Sequence, residues 1–258
     1  MTTGIITKKL NFKYGENNIL DDISITIEKG LFYSIIGPNG SGKTTLLKLL
    51  AKMLSSTNET IYINNNDING MKQKEIAKQL SVVPQITNIQ YDFTVWDIVM
   101  MGRTPYTSRF EKCSKHDIKI VSDAMKETGI IALKDKKITN LSGGELQRVI
   151  IARAIAQETD IMLLDEPISH LDIGYQYEIS DLVQNLCKKK GKTVINIIHD
   201  LNIALRYSDK IFMLKDGKIY RYGNPEEVIT QQTIKEVYSV DVELIDHPKL
   251  ENKKVIIK

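Results

Sequence analysis

"GPNGSGKT", at residues 37–44, decides how the rest of the chain is read. It fits G-x-x-x-x-G-K-[ST] at every fixed position, a pattern whose glycines let backbone N–H groups turn inward around an anion. The apolar run "YSIIG" at residues 33–37 leads into it as a strand. Leu46, Leu47, Leu49, Leu50 and Met53 follow it as the apolar stripe of a helix. That helix aims its positive end at the same anion. Gly37, Pro38, Asn39, Gly40, Ser41, Gly42, Lys43, Thr44 and Thr45 are therefore the candidate triphosphate cradle. Lys43 would reach the β- and γ-phosphates, and the Thr44 hydroxyl would bind Mg²⁺.

Further along, "IMLLDE" at residues 161–166 is a second apolar strand ending in two carboxylates. Asp165 is placed to hold Mg²⁺ through water. Glu166 points differently, and a carboxylate there can act as general base on the attacking water. A third apolar run, "TVINIIHD" at residues 193–200, carries His199 to its end. If that strand lies beside the Asp165 strand, His199 reaches the carboxyl edge where ligands sit in open α/β sheets, within reach of a γ-phosphate. Apolar runs of this kind belong to strands covered on both faces, the centre of a parallel sheet. "ISITIEKG" from Ile23 and "TIYINNNDI" from Thr60 instead alternate, as half-exposed strands do. No comparable strand occurs between Thr87 and Asn140, which reads as a mainly helical insert.

A second serine- and glycine-rich turn, "LSGGE" at residues 141–145, also opens a helix, with apolar positions at Leu146, Val149, Ile150, Arg153 and Ala154, and Ala156 close behind. Ser142, Gly143 and Gly144 form an anion site in their own right. One triphosphate cannot easily occupy both sites of one chain while Glu166 addresses its γ-phosphate. A symmetric dimer resolves this, each phosphate loop facing the other chain's "LSGGE" with ATP sandwiched between.

Together these stretches resemble the nucleotide-binding subunit of ATP-binding cassette (ABC) transporters. "GPNGSGKT" is similar to that family's phosphate loop, "LSGGE" with Glu145 to its signature, and "IMLLDEP" to its metal-binding strand and catalytic glutamate. The resemblance implies further roles. Gln85, after "LSVVP", matches a loop glutamine that contacts Mg²⁺ or the attacking water. Asp172 in "SHLD" matches the inter-subunit loop, His199 the switch histidine, and Tyr14 the aromatic residue under the adenine. Two positions depart from the pattern: Glu145 replaces the commoner glutamine, and His170 stands where a small residue is usual. Neither removes a phosphate donor or the catalytic carboxylate.

The implied fold is an α/β P-loop NTPase core with a half-exposed antiparallel β subdomain and an inserted helical subdomain. The expected division is 1–86 and 159–223 for the ATP-binding core, 87–158 for the helical subdomain, and 224–258 for a short C-terminal extension. "YDFTVWDIVMMGRTPYTSRF" at residues 91–110, and the tail from Val237, ending in a short hairpin, resemble importers of iron–siderophores, haem and vitamin B12. Those importers imply a membrane permease dimer and an external binding protein as partners. The apolar side chains of Phe93, Val95 and Trp96 are candidates for permease contact or for plain core.

Composition is consistent with this reading. Hydrophobic residues make up 42% and charged residues 26% of 258 positions, ordinary for a globular chain. A net charge of +3 is too small to argue for nucleic acid, and Lys188, Lys189 and Lys190 read as a solvated helix end. Cys113 and Cys187 lie far apart and form no CxxC or Cys/His cluster, which argues against a disulfide framework or a zinc site and fits a reducing cytosol. "MTTGIITKKLNF" lacks the apolar core of a signal peptide, and no stretch reaches the length of a membrane span. Membrane attachment would run through a partner, on the cytoplasmic face. Two rival readings remain: a soluble ABC ATPase serving DNA maintenance, translation or iron–sulfur assembly, and a GTPase or small-molecule kinase, which leaves "LSGGE" unexplained.

Overall fold

The computed structural model describes residues 3–85, 92–107, 113–246 and 253–257, with backbone alone for 246, 253, 254, 256 and 257. Tyr91, the stretch 108–110 and the tail segment 247–252 therefore lie outside the described residues.

The chain opens with β1 (Thr3–Thr7), β2 (Leu10–Tyr14), β3 (Asn17–Ile23), β4 (Thr26–Glu28) and β5 (Phe32–Ile36), then α1 (Lys43–Leu50). Next come β6 (Ile61–Ile63), β7 (Asn66–Asp67), α2 (Gln73–Ile76) and β8 (Leu80–Val83). The helices α3 (Val95–Met100), α4 (Lys115–Glu127) and α5 (Gly143–Ala156) follow without an intervening strand. The pattern then alternates through β9 (Ile161–Asp165), α6 (Ile173–Lys190), β10 (Thr193–Ile197), α7 (Leu201–Tyr207), β11 (Lys210–Lys215) and β12 (Lys218–Gly223). It closes with α8 (Pro225–Val228), α9 (Gln231–Tyr238) and the hairpin β13 (Val242–Asp246) and β14 (Lys253–Ile257).

Six strands form the central sheet in the order β12-β11-β5-β10-β9-β8, parallel except for the edge strand β12. Every residue of β5, β9 and β10 is buried, because successive side chains enter different cores. Phe32 and Ile36 face a core shared with the helices, whereas Tyr33 and Ile35 face a second core shared with α1 and the antiparallel strands. The alternating stretches form the antiparallel sheet β4-β1-β6-β7, with Ile61 and Ile63 inward and Tyr62 between them less buried.

Packing revises three details of the sequence reading. Met53 lies beyond the end of α1 and is 58% exposed, so the stripe stops at Leu50. On α5, Ile151 and Ala152 are buried along with Val149 and Ile150, while Leu146 and Arg153 are only partly so. The cause is that α5 is flanked by α3, α4 and β8, which cover more than one face. Val95 is fully buried, and Phe93 and Trp96 pack against the same core, so these three side chains are core. Cys113 and Cys187 are both free thiols. Among the described residues, no helix is long and apolar enough to cross a membrane.

Candidate functional site

Four adjacent parallel strands, in the order β5-β10-β9-β8, bring the phosphate loop, His199, Asp165 with Glu166, and Gln85 to one carboxyl edge. The turn after β5 needs glycine for two different reasons. Gly37 has φ 149°, and a Cβ there would stand 2.3 Å from the Leu214 carbonyl oxygen. Gly42, at φ 95° just before α1, would put a Cβ 2.6 Å from Leu20 Cδ2. Gly40 has φ 80° but nothing within 4 Å of its Cβ position, so the space beside the loop is open.

The loop suits a polyanion. Lys43 is buried and its ammonium donates to the carbonyls of Gly37 and Pro38, both at 2.9 Å. Burial lowers its pKa, with Glu166 and Asp165 pulling the other way. Ser41 Oγ is buried with no hydrogen-bond partner among the described residues, a donor awaiting an acceptor. A cleft of about 240 Å³ runs alongside, lined by Ile19, Asn39, Gly40, Gly42, Lys43, Thr44, Thr45 and Glu166. Thr44 Oγ1 donates to Asp165 Oδ1 at 3.2 Å, pairing a hydroxyl and a carboxylate as hard oxygen donors. Burial raises the pKa of Asp165, partly offset by the Thr44 hydrogen bond. Among the described residues no three His, Cys, Asp or Glu side chains cluster to hold a metal. The donor pair thus fits Mg²⁺, which accepts one or two protein ligands and completes its shell with phosphate and water.

Glu166 is the junction of the site. Its backbone has φ 49°, a left-handed conformation that costs a non-glycine residue about 1–3 kcal/mol. Gln85 Nε2 donates to its Oε2 at 2.6 Å, and His199 Nε2 lies 2.5 Å from its Oε1. Gln85 thus bonds Glu166 rather than the Thr44–Asp165 pair. His199 is held by its position just past β10, and Asp200 caps α7 through the Asn202 and Ile203 N–H groups.

"LSGGE" forms a separate unit. Ser142 caps α5, and Glu145 completes a capping box by accepting from the Ser142 N–H at 2.8 Å. That backbone bond holds the Glu145 carboxyl below the usual range. Lys136 pairs with Glu145 at 3.6 Å, Leu171 lies beside Gly143 and the Tyr175 ring beside Gly144, and none of the three is in the phosphate loop. Asp172 caps α6 by accepting from the Tyr175 N–H at 3.1 Å. Tyr14 is 48% exposed at the end of β2 and meets Phe12 edge-on, with ring centroids 4.9 Å apart.

Three residues at the site escaped the motif reading. Ile19 reaches the cleft through the β2–β3 hairpin, and no spacing in the sequence marks it. Tyr175 packs its ring on Gly144. Tyr238, from α9, meets the backbone of Gly37, and burial pushes its hydroxyl up to about 12. An aromatic residue on an amphipathic helix was the only signal.

Comparison with known proteins gives the family and the fold. Residues 20–169 match the family model described as ABC transporter. The chain is 39% identical over 251 residues to the iron(3+)-hydroxamate import ATP-binding protein FhuC of Bacillus subtilis (strain 168), covering 97% of this chain and 93% of that one. It is 38% identical over 248 residues to the petrobactin import ATP-binding protein FpuD of Bacillus anthracis, covering 96% and 91%. Among solved structures, an inward-facing metal-chelate type ABC transporter superimposes with a TM-score of 0.88 at 25% identity, covering 100% and 98%. A dimeric post-hydrolysis ATP-binding cassette bound to ADP and Pi gives 0.73 at 31% identity, covering 86% and 98%.

Proposed function

Because the chain belongs to the ABC transporter family as an ATP-binding cassette, we propose that it is the ATP-hydrolysing subunit of an importer for an iron chelate, a ferric siderophore or haem, or for cobalamin. The observation that carries this is the meeting of Lys43, Asp165 and Glu166 at one sheet edge, with "LSGGE" held apart on α5.

In the proposed cycle, Lys43 exchanges the Gly37 and Pro38 carbonyls for phosphate oxygens, helped by the Ser41 hydroxyl and the loop N–H groups. Thr44 and Asp165 would hold Mg²⁺, which neutralises charge on the phosphates. Glu166 takes the proton of the attacking water, while His199 and Gln85 fix its two oxygens and set its direction. Tyr14 stacks under the adenine. Ser142, Gly143, Gly144 and Glu145 cover the γ-phosphate of a second copy, with Asp172 in the loop between the two. Two identical chains related by a two-fold axis would thus build two composite sites; the similar cassette bound to ADP and Pi is likewise dimeric.

The division into core, helical subdomain over 87–158 and C-terminal extension from 224 is our reading of how these tasks are shared. The cassette sits at the cytoplasmic face of the membrane, held by a permease dimer that an external binding protein supplies. Two relatives with different siderophores are almost equally similar, 39% and 38%, so cargo is assigned only to this class. The test is uptake of labelled ferric siderophore, haem and cobalamin in cells carrying wild type or Glu166→Gln. Loss of one cargo identifies it, whereas retention of all three, with expression verified and no redundant importer, removes the cargo assignment.

A further inference from the structure

The C-terminal extension touches the candidate ATP site at two separate places. α9 is anchored to the central sheet, where Lys215 Nζ of β11 donates to the Glu236 carbonyl at 2.8 Å. Its last residue, the half-buried Tyr238, reaches the first residue of the phosphate loop. The hydrogen bond between the Tyr238 hydroxyl and the Gly37 backbone acts against burial and favours the ionised phenol, so the Gly37 N–H is the donor. Gly37 is thereby held at both of its polar groups, since its carbonyl accepts from Lys43 at 2.9 Å.

The terminal hairpin makes the second contact. Val255 of β14 donates its N–H to Asn202 Oδ1 at 2.8 Å, and its carbonyl accepts from Asn202 Nδ2 at 3.3 Å. One side-chain amide thus pairs with the edge of a strand as a neighbouring strand would. Asn202 lies in the first turn of α7, and its own N–H donates to Asp200, the residue after His199. A cavity of about 300 Å³ separates this turn from the extension, with Ile234, Tyr238, Val240 and Val242 on the extension and His199 and Leu201 opposite. Side chains across such a space share little van der Waals contact, so the two hydrogen bonds of Asn202 carry the connection.

We propose that the C-terminal extension positions the ATP site at two points: Tyr238 fixes the start of the phosphate loop, and Val255, through Asn202, fixes the segment that aims His199 at Glu166. Both roles rest on the ATPase reading above, and both residues act through others rather than on the nucleotide. The two points serve different moments of the cycle. When Lys43 leaves the Gly37 carbonyl for phosphate oxygens, the loop loses one of its holds, and Tyr238 keeps Gly37 in place. Its effect is therefore on nucleotide binding. Asn202 sits within one helical turn of His199, which touches the Glu166 carboxylate, so its effect falls on turnover. An extension that merely packed against the core would lower stability without separating binding from turnover.

To test it, the purified full-length chain is compared with Tyr238→Phe, which keeps the ring and removes the hydroxyl, and with Asn202→Ala. Steady-state ATPase kinetics, binding of a fluorescent ATP analogue and thermal melting are read for each. Loss of a neutral hydrogen bond corresponds to a change of about 2- to 10-fold. Tyr238→Phe is expected to raise KM for ATP and Kd for the analogue by that factor, with kcat within about twofold. Asn202→Ala is expected to lower kcat by that factor and leave KM unchanged. Because Asn202 acts through His199, adding Asn202→Ala to His199→Ala should cost nothing further in kcat. Unchanged kinetic constants in either single variant overturn the proposal and leave the ATPase reading standing. The same follows if Asn202→Ala costs as much in the His199→Ala background as alone, or if either variant melts below the assay temperature, since the extension is then merely structural. Absence of ATP hydrolysis by the wild-type chain overturns both readings.

Discussion

His199 Nε2 lies 2.5 Å from Glu166 Oε1, although the two residues are 33 positions apart and come from neighbouring strands. The contact gives the carboxylate a fixed direction, because Gln85 simultaneously holds its other oxygen at 2.6 Å. A base fixed at both oxygens loses little freedom on meeting its water. Replacing Glu166 by Gln keeps the shape and removes the proton acceptor. We expect phosphate release to fall about 10²–10⁴-fold while ATP binding survives. ATP-driven pairing of the variant, followed by size-exclusion chromatography, checks the sandwich; a variant that binds ATP yet stays monomeric at high concentration counts against it.

The same geometry predicts a smaller effect for His199→Ala. Loss of a hydrogen bond to a charged group is worth about 1.5–3 kcal/mol, or roughly 10- to 100-fold in turnover. Steady-state kinetics on the purified chain would show it in kcat, with KM for ATP little changed. An unchanged kcat would mean that Glu166 is positioned without its histidine.

Asp165 links activity to stability. Its folded pKa is raised by burial, so the charged form is disfavoured in the native state relative to the unfolded chain. Above its ordinary carboxylate range the unfolded state has released a proton that the folded state retains, and stability falls as pH rises through that window. Asp165→Asn is therefore expected to melt higher than wild type at neutral pH, with the gap closing below about pH 4. Mg²⁺ with a non-hydrolysable ATP analogue should raise the melting temperature of wild type more than that of the variant. Equal Mg²⁺-dependent shifts would remove Asp165 from the metal site.

Gly144 and Tyr175 test how the signature helix meets α6. A Cβ on Gly144 would stand 2.6 Å from Tyr175 Cδ1. Gly144→Ala should destabilise the chain by about 1–3 kcal/mol, the usual cost of overpacking. The Gly144→Ala/Tyr175→Ala double variant is expected to lose less than the sum of the single changes, measured by denaturant unfolding. Strict additivity would show that the ring is not what excludes a side chain there.

The phosphate loop offers a stability contrast within one motif. Gly37→Ala drives a methyl group into the Leu214 carbonyl at 2.3 Å and should prevent normal folding. Gly40→Ala meets open space and carries only the backbone cost of a positive φ, about 1–2 kcal/mol. Soluble yield and thermal melting of the two variants compare them directly; equal losses would contradict the packing account.

Local chemistry alone made much of this protein legible. The glycine and lysine spacing of "GPNGSGKT" fits one kind of anion loop, and uninterrupted apolar runs fit strands buried on both faces, so the α/β core and the carboxylates at its edge followed from the residues. The interior of α5 was harder to read, because a helix packed on several sides loses the periodicity that a single buried stripe would give. Phe93, Val95 and Trp96 were ambiguous for a related reason: an apolar side chain looks the same in sequence whether it faces a core or a partner. Which carboxylate oxygen bonds His199 and which ring excludes a Cβ at Gly144 were decided only by tertiary structure. These are relations between residues far apart in the chain, and chain separation carries no information about them until the strand order of the sheet brings the elements together.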